Sequence, residues 1–197
     1  MIKIQHRPKS KKNFGLIPVR VKEQPAMSDR KLHKLVLGAL FAALCTIMTL
    51  VIQVPSPMQG YVNLGDCGVL LSAWILGPLY GAGAAGIGSM LADLLSGYAH
   101  YAPGTLLIKL AMAAVAGLLF EGIKRHTHSA LPAQLVSAAA AEAIMVVGYF
   151  GYAGLLLGNG LAAAASIPGN VVQGIFGLAA AVTVYALLSR SRALAHL

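Results

Sequence analysis

The chain has 197 residues, 57% of them hydrophobic and 11% charged, and its 15 Lys and Arg against 6 Asp and Glu give a formal net charge of +9. With a mean hydropathy of +0.73, this composition lies outside the range of soluble domains and places the chain in a membrane. The two cysteines, Cys45 and Cys67, form no C-x-x-C and no pattern with His, so neither a disulfide framework nor a metal site is expected and both read as small packing residues.

In chain order, residues 1–30 come first, polar and basic, with Lys3, Arg7, Lys9, Lys11, Lys12, Arg20 and Lys22 and no apolar core. This is not a signal peptide. It reads as a disordered cytoplasmic tail or as sequence preceding a native start at Met27, with attraction to anionic head groups as the alternative. Apolar runs follow at 32–53, 104–122, 132–157 and 170–189. Each is close to the length of about 20 residues that crosses a hydrocarbon core as a helix with its backbone internally satisfied.

The run 67–95 is harder, because as one helix it exceeds the roughly 30 Å core, yet it is short for two spans. Charge decides, since cytoplasmic loops are enriched in Lys and Arg. The basic residues are Arg30, Lys31 and Lys34 before the first span, Lys124 and Arg125 after Gly122, and Arg190 and Arg192 at the end. If 67–95 crosses twice, breaking at Gly77-Pro78, every Lys and Arg except Lys109 falls on one side. The expectation is an all-α integral membrane protein of six transmembrane helices with cytoplasmic N and C termini. Its parts are a tail over 1–30, a membrane domain over 31–190 and a second tail over 191–197.

Three connections then face outward, 54–66, 96–103 and 158–169, and none carries Lys or Arg. They hold PSPMQGYVNLGD, SGYAHYAP and GNGLAAAASIPG, rich in aromatic, amide and turn residues. A recognition surface fits that content, and so does an interfacial aromatic belt including Tyr98 and Tyr101. GAGAAG at 81–86 matches a dinucleotide fingerprint only formally, having no preceding strand, and reads instead as a small-residue packing face. Ser89 lacks the G-x-S-x-G setting of a hydrolase nucleophile. No G-x-x-x-x-G-K-[ST] occurs, so no ATP is expected to be hydrolysed through a P-loop of this chain and any energy must come from a partner or a gradient.

Ionisable residues at membrane depth are the sharper signal. Asp66 lies near the start of the second span, and Glu142 near the middle of the fifth. Asp93 and Lys109 descend from the same outer connection on consecutive helices, so they are expected to form a structural ion pair, with Lys109 also able to reach a ligand. Helical spacing places Glu142, Tyr149 and Tyr152 on one face, Asn170 and Gln173 on another, and Thr105 and Lys109 one turn apart. Three polar stripes facing an apolar-walled space are what a small-molecule site requires. Asn63, Tyr98, His100, Thr105, Lys109, Glu142, Tyr149, Asn170 and Gln173 are therefore the candidate substrate contacts, and 55–66 a candidate lid.

The segment GYVNLGDCGVLLSAWILGPLYGAGAAGIGSMLADLLSGYAHYAPGTLLIK, together with IPGNVVQGIFG and the A-x-x-x-A pair Ala39 and Ala43, resembles the substrate-binding S components of energy-coupling factor vitamin transporters. The resemblance spans roughly 32–189 and is closest to the riboflavin-type or hydroxymethylpyrimidine-type group. It implies a multi-pass subunit of a bacterial or archaeal cell membrane, without enzymatic activity or cofactor and without a nucleic-acid partner. Such a subunit binds a vitamin or precursor (riboflavin, hydroxymethylpyrimidine or a thiamine relative, or pyridoxine) from outside. The resemblance also implies that Ala39 and Ala43 contact a transmembrane coupling subunit driven by two ATPase subunits. The competing expectation is a self-sufficient proton-coupled permease with Glu142 and Asp93 as proton carriers.

Overall fold

A computed structural model of the chain describes residues 29–56 and 60–191. Nearly all of the proposed tails, 1–30 and 191–197, lies outside the described residues. Helix α1 is Asp29–Val51, α2 Gly65–Leu95, α3 Ala102–Thr127, α4 Ala130–Gly151 and α5 Ile167–Arg190. A π turn, Tyr152–Leu156, prolongs α4, and a 3-10 segment, Gly160–Ser166, leads into α5. Among the described residues five helices are long and apolar enough to cross a membrane.

Helix α2 is 31 residues long, about 46 Å if straight, but it is not straight. Gly77 has φ 80° and ψ 178°, a backbone shape that non-glycine residues avoid, and Pro78 follows it. Beyond that point the chain runs back along itself: Ser72 Oγ is 3.1 Å from Gly81 O. Gly68 and Gly88, twenty positions apart, both pack against Cys45 of α1. The break falls at the Gly77-Pro78 step that the sequence marks, and the residues 65–76 and 78–95 form a hairpin of two helical halves.

Glycine makes these approaches possible. A Cβ on Gly81 would sit 2.5 Å from Ser72 O, one on Gly117 2.8 Å from the Pro78 Cα, and one on Gly88 against the Ala42 carbonyl. Small residues at helix contacts are how membrane helices gain packing without a hydrophobic driving force. Gly83, within the same small-residue run, instead has open space around it.

One feature departs from an all-α expectation. The connection after α1 holds two short strands, β1 Gln53–Ser56 and β2 Gly60–Asn63, paired antiparallel with Gln53 opposite Asn63 and Ser56 opposite Gly60. Val54, Tyr61 and Val62 suit extended backbone; the turn residues around them suggest only a loop. Gln53 Nε2 donates to Ser96 Oγ at 2.8 Å, and Gly169 packs beside Ser56 and Val62, so the hairpin roofs one end of the bundle. At the opposite end Trp74, Phe120 and Tyr185 cluster at centroid distances of 5.8–6.0 Å, with Trp74 Nε1 donating to Ser137 Oγ at 3.0 Å.

Gly88→Val should lower unfolding stability in detergent by about 1–3 kcal/mol, because the added side chain must push α1 away. Gly83→Ala, with free space around it, should be neutral or gain up to about 1 kcal/mol; thermal unfolding of both variants checks the pair.

Candidate functional site

Beneath the hairpin lies a cavity with about 50 Å³ of free space, room for a few water molecules. Its walls are mostly polar side chains from every part of the bundle. Thr49 comes from α1, Ser56, Tyr61 and Asn63 from the hairpin, and Ser89 and Asp93 from α2. Tyr101 immediately precedes α3, which supplies Thr105 and Lys109; Tyr149 comes from α4, Ser166 from the end of the 3-10 segment, and Asn170 and Gln173 from the start of α5.

Lys109 forms the floor. Its Nζ is ion-paired with Asp66 Oδ1, and the two side chains are 3% and 0% exposed. Met145 Sδ lies 3.4 Å from the same nitrogen, and the Tyr149 ring centroid 5.6 Å away. The second Asp66 oxygen accepts from Gln173 Nε2 at 2.7 Å, while Gln173 Oε1 accepts from the Asn63 backbone N–H at 2.9 Å. A single chain of contacts thus joins α3, α2, α5 and β2. Asn63 Oδ1 in turn accepts from Gly65 N at 2.7 Å and starts α2, which is why a short polar residue stands at the strand-to-helix junction.

The expected ion pair between Asp93 and Lys109 does not form; Lys109 pairs with Asp66 instead. Similar depth on neighbouring helices favours Asp93 as the partner of Lys109. The fold-back of α2, however, also brings Asp66 to that depth, and close packing of Gly177 on the Asp66 Cβ, at 2.7 Å for an added Cβ, holds it there. Asp93 accepts from Tyr61 OH at 2.6 Å, and its other oxygen has no partner among the described residues. Burial, and then the Asp93 carboxylate, push the Tyr61 phenol well above its ordinary value, so it remains a donor throughout the physiological range. Burial raises Tyr101 in the same sense.

Of the candidate contacts, Asn63, Thr105, Lys109, Tyr149, Asn170 and Gln173 line the cavity together. Thr105 Oγ1 and Tyr149 OH are 3.1 Å apart across it. Tyr98 and His100 sit at the rim, linked by ring contacts: Tyr98 is 4.6 Å from Tyr61, and His100 4.8 Å from Tyr101. Tyr152 turns away to donate to His100 O at 2.8 Å. Glu142 is not in this cavity. It lies in an apolar groove between α4 and α5 with Val146, Val171 and Ile175, its carboxyl against Gly174 and without a partner among the described residues.

The lining residues Thr49, Ser56, Tyr61, Ser89, Asp93, Tyr101 and Ser166 are not among the candidate contacts; single hydroxyls on otherwise apolar stretches give no periodic signal. Asp66 had one: it is an acid at the start of a span, at the depth of the lone membrane lysine.

Lys109→Met leaves Asp66 as an uncompensated buried charge and should destabilise the protein by about 3–5 kcal/mol. Lys109→Met combined with Asp66→Asn removes both charges and should recover much of that loss; unfolding midpoints of the single and double variants in one detergent measure the difference.

Several known proteins are similar to this chain. A family model described as ECF-type riboflavin transporter, S component, matches residues 29–190. An uncharacterised protein from the gap 3′ region of Pyrococcus woesei is 35% identical over 134 residues, covering 68% of this chain and 86% of that one. The thiamine precursor transporter HmpT of Lactococcus lactis subsp. cremoris is 28% identical over 167 residues, covering 84% and 93%. The solved S component of a bacterial ECF transporter superposes with a TM-score of 0.60 at 19% identity, covering 81% of this chain and 97% of that structure; the likeness extends to the fold.

Proposed function

Because the chain belongs to the family of ECF-type riboflavin transporter S components, a family of non-enzymatic multi-pass membrane proteins, we propose that it captures a vitamin or vitamin precursor outside the cell. It hands that ligand inward with a coupling subunit and two ATPase subunits. The observation that carries this reading is the roofed polar cavity at one end of a bundle of membrane-capable helices. Tyrosine rings, amides and hydroxyls converge there within apolar helices, as a small-molecule site requires. The relative HmpT, by its name a carrier of a thiamine precursor, supports a ligand of that size and kind.

In this reading the two halves of α2 each cross the bilayer, giving six crossings with both termini cytoplasmic. The support is the Gly77 reversal together with the Lys and Arg distribution. The cavity then faces outward beneath the β1–β2 hairpin. Asn63, Thr105, Tyr149, Asn170 and Gln173 contact the ligand, with Lys109 bracing the floor through Asp66. Tyr98 and His100 form the entrance, and Glu142 serves outside the pocket.

The coupling subunit docks on α1 through Ala39 and Ala43. Both are exposed, Gly38 beside them has nothing within 4 Å of an added Cβ, and α1 is the least buried of the five long helices.

Two measurements test the proposal. Purified protein should bind at least one of riboflavin, hydroxymethylpyrimidine, thiamine or pyridoxine below micromolar concentration, and Asn170→Ala should weaken that binding about tenfold or more. Ala39→Leu with Ala43→Leu should leave binding intact yet abolish uptake in cells carrying the coupling module. Uptake driven by a proton gradient in vesicles containing this chain alone would overturn the proposal in favour of a self-sufficient permease.

A further inference from the structure

A second cavity lies outside the capture site, in the apolar groove between α4 and α5. It holds about 450 Å³ of free space, in the range of small-molecule sites. On α4 it spans residues 139–147 and on α5 171–178, about two turns of each helix, or roughly 12 Å. Ala139, Ala143 and Gly174 leave the space open, while Val147 and Ile175 are 70% and 63% exposed beside it, so the groove faces the surrounding lipid. Of the nine lining residues Glu142 alone is ionisable. It is 9% exposed, neither of its carboxyl oxygens has a partner among the described residues, and the carboxyl rests against Gly174. Lys109 does not serve it, because its ammonium is committed to Asp66.

A buried carboxyl without a partner is costly in apolar surroundings, and a molecule that brings the donor recovers that cost on binding. We infer that the groove is a second binding site, for a small lipophilic amine whose apolar body lies along α4 and α5 and whose N–H donates to Glu142. Glu142 already lines the groove, so rotation of its side chain carries the carboxyl from Gly174 to the ligand. An amine suits better than an alcohol because charge-assisted hydrogen bonds are the stronger, and carboxylates and phosphates bring like charge. A neighbouring transmembrane helix, about 10–12 Å across, is too wide to enter a space of this volume. Phospholipid amines stay at headgroup level, whereas Gly174, beside the carboxyl, lies seven residues and roughly 10 Å down α5 from Ile167. The occupant is therefore a free amphiphile. The site stands independently of vitamin capture, although the two share a wall: Met145, three residues after Glu142, has its Sδ 3.4 Å from Lys109 Nζ and 3.3 Å from Gln173 Nε2.

The test is photolabelling of the full chain in phosphatidylcholine nanodiscs with two diazirine probes of equal length, octylamine and octanoate, the labelled residues being mapped by mass spectrometry. The amine is expected to label residues 139–147 and 171–178 about fivefold more than octanoate does, or better. Glu142→Gln should cut that labelling by about the same factor, while labelling of α1 stays unchanged. Ala143→Phe, which fills the groove from an exposed position, should do the same and decides the matter if Glu142→Gln unfolds. Equal labelling by the two probes, or amine labelling spread evenly over the exposed faces of α1 and α5, overturns the inference, since either reports partition into lipid alone. Full labelling of a folded Glu142→Gln variant overturns it too. Groove residues left unlabelled in a protein that forms dimers in the same nanodiscs overturn it in favour of a second copy as occupant; left unlabelled in a monomer, they overturn it outright. Each of these results leaves vitamin capture standing, which the binding measurements above decide.

Discussion

Lys109 and Asp66 form the contact on which the cavity is built. An isolated charge at membrane depth is expensive, so each of these residues is tolerable only because the other is present. Their pairing fixes more than two side chains. With one Asp66 oxygen taken by Lys109, the other receives the Gln173 amide nitrogen, which turns the Gln173 carbonyl toward the Asn63 backbone. The orientation of a single amide thereby sets where β2 lies over α5, and Asn63 starts α2 from the same point. Three helices and the roof share one polar chain, and partial loss of such a network is worse than its complete absence.

That chain is possible only because the backbone comes close around it. Gly177 leaves room for the Asp66 Cβ, Gly65 sits against Thr49, and Gly104 lies under the Tyr152 ring. The far half of the bundle uses the opposite strategy, filling its space with Trp74, Phe120 and Tyr185. A bulky apolar end and a small-residue polar end therefore divide the molecule, and the site occupies the end where helices can converge without large side chains between them.

The same packing explains why the acids have separate fates. Asp66 gained the lysine, Asp93 gained a tyrosine hydroxyl, and Glu142 was left in an apolar groove on the other side of α4. Their chemistry is nearly identical and their surroundings are not. The acid that faces the cavity without a lysine is consequently Asp93, with Lys109 a fixed part of the floor.

Composition and residue order determined a good deal by themselves. Mean hydropathy and apolar run lengths gave the membrane helices, and Gly77-Pro78 marked the reversal, because proline breaks the helical hydrogen-bond ladder and glycine takes a positive φ freely. Period 3.6 put Thr105, Lys109, Tyr149, Asn170 and Gln173 on faces that do converge. Tertiary structure decided what periodicity cannot express. It brought Asp66 to Lys109 across 43 positions, folded the first connection into a hairpin, moved Glu142 out of the cavity and gathered isolated hydroxyls into one wall. The reason is that a helical face is a local property, fixed by spacing along the chain. Which acid meets the lysine depends on how closely helices far apart in sequence can approach, and that was set by glycines whose role appears only once their neighbours are in place.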